Sequence, residues 1–96
     1  MAIARYQEAR NVSPEDYDAM NEKLNMPSEP PEGLLSHAVA PIEGGGMRFW
    51  EVWESEDQMR RFEEERLVPA LREHFGENMG EPPQEQIAEL HFFWAP

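Results

Sequence analysis

The chain has no cysteine among its 96 residues. That excludes disulfides, thiolate nucleophiles and cysteine-held zinc or iron–sulfur centres, and it predicts a reducing, cytoplasmic setting. Basic residues are scarce: 8 Lys and Arg stand against 20 Asp and Glu, a formal charge of −12. A chain of this sign is poorly suited to a phosphate backbone or an anionic membrane, because both are gripped by Lys and Arg. Neither nucleic acid nor membrane is therefore expected as a partner. No run approaches the ~18 apolar residues of a membrane span, and the first ten residues hold no signal-peptide core. Glycine clusters only at Gly44-Gly45-Gly46, which matches neither a dinucleotide fingerprint nor a P-loop. There is no internal repeat, and the length predicts one acidic, soluble domain over residues 1–96, with a small core.

What is present reads as alternating elements. Residues 2–8 alternate weakly and predict a first strand. Ser13-Pro14-Glu15-Asp16 is a helix start: a cap hydroxyl, a proline in the first turn and two acids at the positive end of the dipole. Tyr17, Met20 and Leu24 then share one face, and Pro27 stops the helix. After a proline-rich connector, Leu34–Ala40 predicts a strand, the three glycines a hairpin, and Met47-Arg-Phe-Trp-Glu-Val-Trp-Glu-Ser55 a strand with large apolar groups on both faces. Ser55 and Gln58 form a capping box for a helix that turns Met59, Phe62 and Leu67 inward. Pro69 interrupts that helix, and Val68–Phe75 continues as an offset piece ending at Gly76. Beyond Pro82-Pro83, Ile87–Trp94 predicts the last strand.

The order β-α-β-β-α-β is the ferredoxin-like pattern, α+β, with both helices on one face of a four-stranded antiparallel sheet. The other face is bare. If it carries His37, Phe49, Trp53, His91 and Phe93, the apolar patch exceeds the ~300–600 Å² usual on a monomer. A second copy laid sheet to sheet would cover it, forming an eight-stranded barrel with an internal cavity.

Gly33-Leu34-Leu35-Ser36-His37, the glycine hairpin, Val52-Trp53-Glu54-Ser55 and Phe62…Leu67-Val68-Pro69-Ala70-Leu71 together resemble the dimeric α/β-barrel superfamily, in particular small antibiotic biosynthesis monooxygenase-like proteins. The resemblance implies a homodimer that binds a small apolar or aromatic molecule. In an enzyme of that kind it implies oxygenation with no cofactor, neither metal nor flavin. Haem-degrading members resemble one another in a tryptophan on the second helix and a histidine some ten residues on; here Phe62 and Arg72 occupy those positions, a departure that puts haem chemistry in doubt, although His74 lies close by.

Within the scaffold the candidate catalytic residues are His37 and Glu51. An even hairpin register sets Phe49, Glu51 and Trp53 beside Leu35, His37 and Val39, a titratable pair inside an aromatic wall. His37 could act as a general base or bind a phenolic anion; it could equally be a core or interface histidine satisfied by a neighbour. Glu51 must find a partner in His37, Arg5 or Arg48, or take up a proton, and would orient His37 or form an ordinary ion pair. Phe49, Trp53, His91 and Phe93 are the candidate substrate-binding residues, which either stack a planar ligand or fill the core. His37, Glu51 and His91 come from separate strands with no ligand-spacing motif, so no metal site is assigned. His74 is expected as a favourable charge at a helix C-terminus. The rival reading is a non-catalytic ligand-binding or protein-interaction dimer.

Overall fold

A computed structural model describes all residues from Met1 to Pro96. Strands β1 (Ile3–Ala9), β2 (Leu34–Pro41), β3 (Met47–Trp53) and β4 (Gln84–Glu89) form one antiparallel sheet in the order β2-β3-β1-β4. Helix α1 (Pro14–Lys23) links β1 to β2. Between β3 and β4 runs a continuous helical rod made of α2 (Glu56–Phe62), a π-helical turn (Glu63–Leu67) and α3 (Val68–Phe75). This is the ferredoxin-like α+β arrangement expected from the element order.

Both helix starts are built as the residues dictate. Ser13 accepts from the Asp16 amide while the Asp16 carboxylate accepts from the Ser13 amide, a reciprocal capping box. Ser55 accepts from the Gln58 amide, but the expected box is only half made: the Gln58 side-chain oxygen accepts from the Ser55 hydroxyl at 2.9 Å and not from the Ser55 amide. Pro69 does not break the rod. A proline lacks the N–H for the carbonyl four residues back and its ring collides with that carbonyl; the wider π turn just before it makes room and shifts the phase of the following face by one residue. The hairpin closes with the Ile42 amide donating to the Gly46 carbonyl at 2.9 Å and the Gly45 amide donating to the Ile42 carbonyl at 3.0 Å. Gly46 has φ +103°, and a Cβ there would lie 2.7 Å from the Arg10 Cα. Glycine is thus required both for its backbone angle and for the close approach of the chain after β1.

The hairpin register is even. His37 lies directly opposite Glu51 and Val39 opposite Phe49. A bulge between Leu34 and Ser36 then sets Leu34 rather than Leu35 opposite Trp53, which leaves Leu35 exposed. The faces also differ from the expectation. The helices pack on the odd-numbered face of β3: Trp53, 1 % exposed, forms the centre of the core with Ile3 and Met59, flanked by Leu34, Phe62 and Ile87. His37, Phe49 and Glu51 share that helix-covered face. The open face instead carries Tyr6 and Trp50, whose rings lie 5.7 Å apart, with Val52, Ala4, Ala38 and Ala88 around them.

The last strand is shifted towards the N-terminus relative to the expected Ile87–Trp94. β4 pairs with β1 from Glu8↔Gln84 to Ile3↔Glu89, and one further bond joins the Leu90 amide to the Ala2 carbonyl at 3.0 Å. β1 begins at Ile3 and its ladder with β4 ends at Glu89, so the apolar stretch His91–Trp94 lies outside the sheet. His91 is exposed, Phe93 half-buried, and Phe92 and Trp94 are 78 % and 74 % exposed.

Candidate functional site

Between the helices and the odd-numbered face of the sheet lies a cavity of about 700 Å³. Its walls are mainly apolar, from Met20 and Leu24 of the α1 segment, Phe49 and Trp53 of β3, and Leu67 and Leu71 of the rod. The proline-rich connector after α1 and the Pro82-Pro83 loop border it as well. Four of the six residues singled out from sequence line this space: His37, Phe49, Glu51 and Trp53. The other two do not. His91 and Phe93 lie past the end of β4, because the strand stops at Glu89, and neither reaches the cavity wall. The space is therefore within one subunit, between sheet and helices, and not between two sheets.

At the floor of the cavity the strands bring together a chain of polar side chains. His37 Nδ1 is 3.1 Å from Glu51 Oε2. The other Glu51 oxygen accepts from Arg5 Nη2 at 2.7 Å, Arg5 Nε at 3.1 Å and the Trp53 indole N–H at 3.1 Å. Burial by itself would raise the Glu51 pKa. The hydrogen bond from His37, the Arg5 charge and the indole donor outweigh it, so that the carboxyl is held down at about 2. Glu51 is consequently an ionised acceptor at all ordinary pH values, which makes His37 Nδ1 a donor to it.

Arg5, only 3 % exposed, is the cation at the centre of this network. Burial opposes its charge, but Glu51 and Glu63 more than compensate and its pKa is raised. It donates to Glu63 of the π turn at 2.8 Å and to Glu85 of β4 at 3.3 Å, and Arg60 of α2 bridges the same two glutamates at 3.0 and 2.9 Å. One cluster thus ties β1, β3, β4 and the rod together under the cavity. Of the three partners considered for Glu51, His37 and Arg5 are realised; Arg48 lies across from Glu8 on the other face.

Tyr17, Arg60, Glu63 and Glu85 join this network without having been singled out from sequence. Tyr17, counted there only as an apolar member of the α1 face, places its hydroxyl 2.7 Å from His37 Nε2, and its ring lies parallel to the imidazole with centroids 6.1 Å apart. Phe49 approaches both rings, at 5.8 and 6.2 Å. The spacing Tyr17, Met20, Leu24 is the signal: a residue on the inward face of α1 must meet the sheet, and Tyr alone of the three carries a polar tip. Glu63 sits among acids at positions 63, 64 and 65, and only the π turn decides which of them faces in. His74, expected as a charge at a helix end, stands in the last turn of α3 and bonds Asp16 Oδ1 of α1 at 2.9 Å. That bond, with the Ser13 amide, lowers the Asp16 pKa.

No known family profile matches the sequence, and no curated protein does either. Solved structures do match over nearly the whole chain. A proposed antibiotic biosynthesis monooxygenase from Bordetella bronchiseptica is 20% identical with a TM-score of 0.64, covering 95% of this chain and 98% of its own. SnoaB, a cofactor-independent oxygenase from Streptomyces nogalater, is 9% identical with a TM-score of 0.61, covering 96% and 94%. MhuD, solved as a mutant with two manganese protoporphyrin IX bound per active site, is 12% identical with a TM-score of 0.58, covering the whole of both chains. Identities this low speak to fold alone, and on that ground the chain has the ferredoxin-like α+β fold of the antibiotic biosynthesis monooxygenase-like proteins.

Proposed function

We propose that residues 1–96 form one cytoplasmic domain that binds a small, largely apolar, planar aromatic compound between helices and sheet, and that two copies associate through the open sheet face. The observation that carries the ligand reading is the cavity of about 700 Å³. It falls within the ~300–1,000 Å³ of small-molecule sites and has the same make-up, an apolar lining with a few convergent polar groups. The His37–Glu51 pair supplies an acid–base group at its wall, and Phe49 and Trp53 supply flat surfaces for a ring.

In the enzymatic form of this reading the compound is oxygenated without a cofactor, as by SnoaB, a cofactor-independent oxygenase. An activated ring CH₂ loses a proton to the protein; the delocalised carbanion supplies electrons to O₂; one oxygen atom becomes a carbonyl and the other leaves as water. The substrate furnishes all four electrons. The protein's part is orientation, a dry site and the proton. A binding protein without turnover would use the same cavity.

Oxygen uptake with a panel of anthrones and quinols is the test. Wild type should consume oxygen faster than buffer alone, and His37→Ala should lose most of that rate while keeping its melting temperature, because Glu51 retains Arg5 and Trp53 as partners. Binding without oxygen uptake would leave the ligand-binding alternative. Absence of binding across the panel would overturn both.

A further inference from the structure

The polar chain at the cavity does not end at His37. We propose that Tyr17 is the residue that exchanges a proton with the bound compound, its own proton passing to His37 Nε2 while Glu51 holds the imidazolium so formed. This rests on the cavity being a ligand site, and it deepens that reading by naming the group that meets the ligand and the functional group the ligand must carry.

The geometry fixes the direction of each bond. Glu51 is bonded by Arg5 and Trp53 on one oxygen and faces His37 Nδ1 with the other. An ionised carboxylate can only accept, so Nδ1 carries a hydrogen. In the neutral ring Nε2 is then a bare lone pair, and the atom set against it, at 2.7 Å, is the Tyr17 oxygen. Tyr17 must donate there. Its remaining lone pairs are free for a donor in the cavity, which Tyr17 lines. A ligand hydroxyl fits that role. When the ligand gives its proton to the Tyr17 oxygen, the phenolic proton moves to Nε2, and Tyr17 then donates its newly acquired proton in a hydrogen bond back to the ligand anion. The count balances: the ligand loses one proton, Tyr17 gives one and gains one, and His37 gains one. The groups facing His37 are Tyr17 from α1 and Glu51 from β3, with Arg5 of β1 and Glu63 of the π turn behind them.

The arrangement selects a class of compound. A planar molecule with a phenolic or enolic hydroxyl can use the relay, and its unsubstituted or O-methylated counterpart cannot.

para-Nitrophenol and nitrobenzene serve as probes, since they differ by the hydroxyl alone and the phenolate absorbs separately from the phenol. With wild type, bound para-nitrophenol should ionise more readily than in buffer, by about tenfold or more in its ionisation constant. Tyr17→Phe and His37→Gln should each abolish that shift, while nitrobenzene binds Tyr17→Phe within about twofold of wild type. A shift that survives in Tyr17→Phe overturns the proposal, because His37 would then meet the hydroxyl directly. Nitrobenzene binding with no shift in wild type overturns it while leaving the cavity as a ligand site. If neither probe binds at millimolar concentration, the ligand site itself falls, and the relay with it. Should Tyr17→Phe fail to fold, ring-nitrogen NMR of wild-type His37 decides: the neutral ring must carry its hydrogen on Nδ1, and the opposite tautomer overturns the proposal.

Discussion

Glu51 is acceptor to three different side chains, and its acidity records that. The folded carboxyl titrates at about 2 against an ordinary 4.5. A depressed carboxylate contributes stability that is complete above the ordinary value and is lost as pH falls through the folded one. Wild type should therefore weaken steadily between about pH 4.5 and pH 2. Glu51→Gln should be less stable at neutral pH by about 1–3 kcal/mol, because the buried Arg5 keeps only Glu63 and Glu85, and its stability should change less over the acid range. Denaturant midpoints across pH give the comparison; parallel curves would show that Glu51 is not held as described. Trp53→Ala is the apolar counterpart. Removing the largest buried side chain should cost ~3–5 kcal/mol, read from the same unfolding curves. His37, Glu51, Phe49 and Trp53 were legible in the sequence because they share odd parity across a hairpin of even register. Tyr17 was not, because a tyrosine at a helical spacing looks like core until the strand opposite it is known.

At the scale of elements, capping and turn chemistry were readable and strand ends were not. Ser13, Ser55 and the three glycines act through bonds to residues within a few positions, so local sequence decides them. The end of β4 is set by its register with β1, a strand far away in sequence, and the hydrophobic run His91–Trp94 falls outside that register. The π turn likewise follows from Pro69 only if the rod continues through it, which tertiary packing settles. Both faces of β3 carry apolar groups, but which one the helices cover is a property of the crossover and not of the strand. The hairpin supplies the prediction here. Gly46→Ala forces a side chain against the Arg10 backbone at a positive φ, and should destabilise by more than the ~1 kcal/mol of an ordinary glycine replacement. Gly44→Ala meets nothing within 4 Å, bears only the strain of its φ of +93° and should be milder. Equal thermal shifts for the two would refute the close-approach argument.

For the whole molecule, the open sheet face is the feature left over. Tyr6, Trp50 and Val52 stand at its middle, with Trp50 45 % exposed, and a second sheet laid there would bury them without disturbing the cavity. Trp50→Lys should accordingly shift the particle from dimer to monomer in light scattering at tens of micromolar while the far-ultraviolet circular dichroism is retained. A wild type that is monomeric under those conditions would refute self-association through this face.

The three tryptophans occupy three unlike places. Trp53 is sealed beneath the helices with its indole on Glu51, Trp50 stands on the open face, and Trp94 lies in the exposed segment after β4. Variants retaining one indole each, with phenylalanine at the other two places so that the core keeps an aromatic ring there, would therefore give the protein three separate optical reporters. Emission from Trp53 would follow the cavity and its carboxylate neighbour, emission from Trp50 would move to the blue only on sheet-to-sheet contact, and emission from Trp94 would follow the terminal segment alone. Ligand entry and subunit association could then be timed separately in one instrument without attaching a dye.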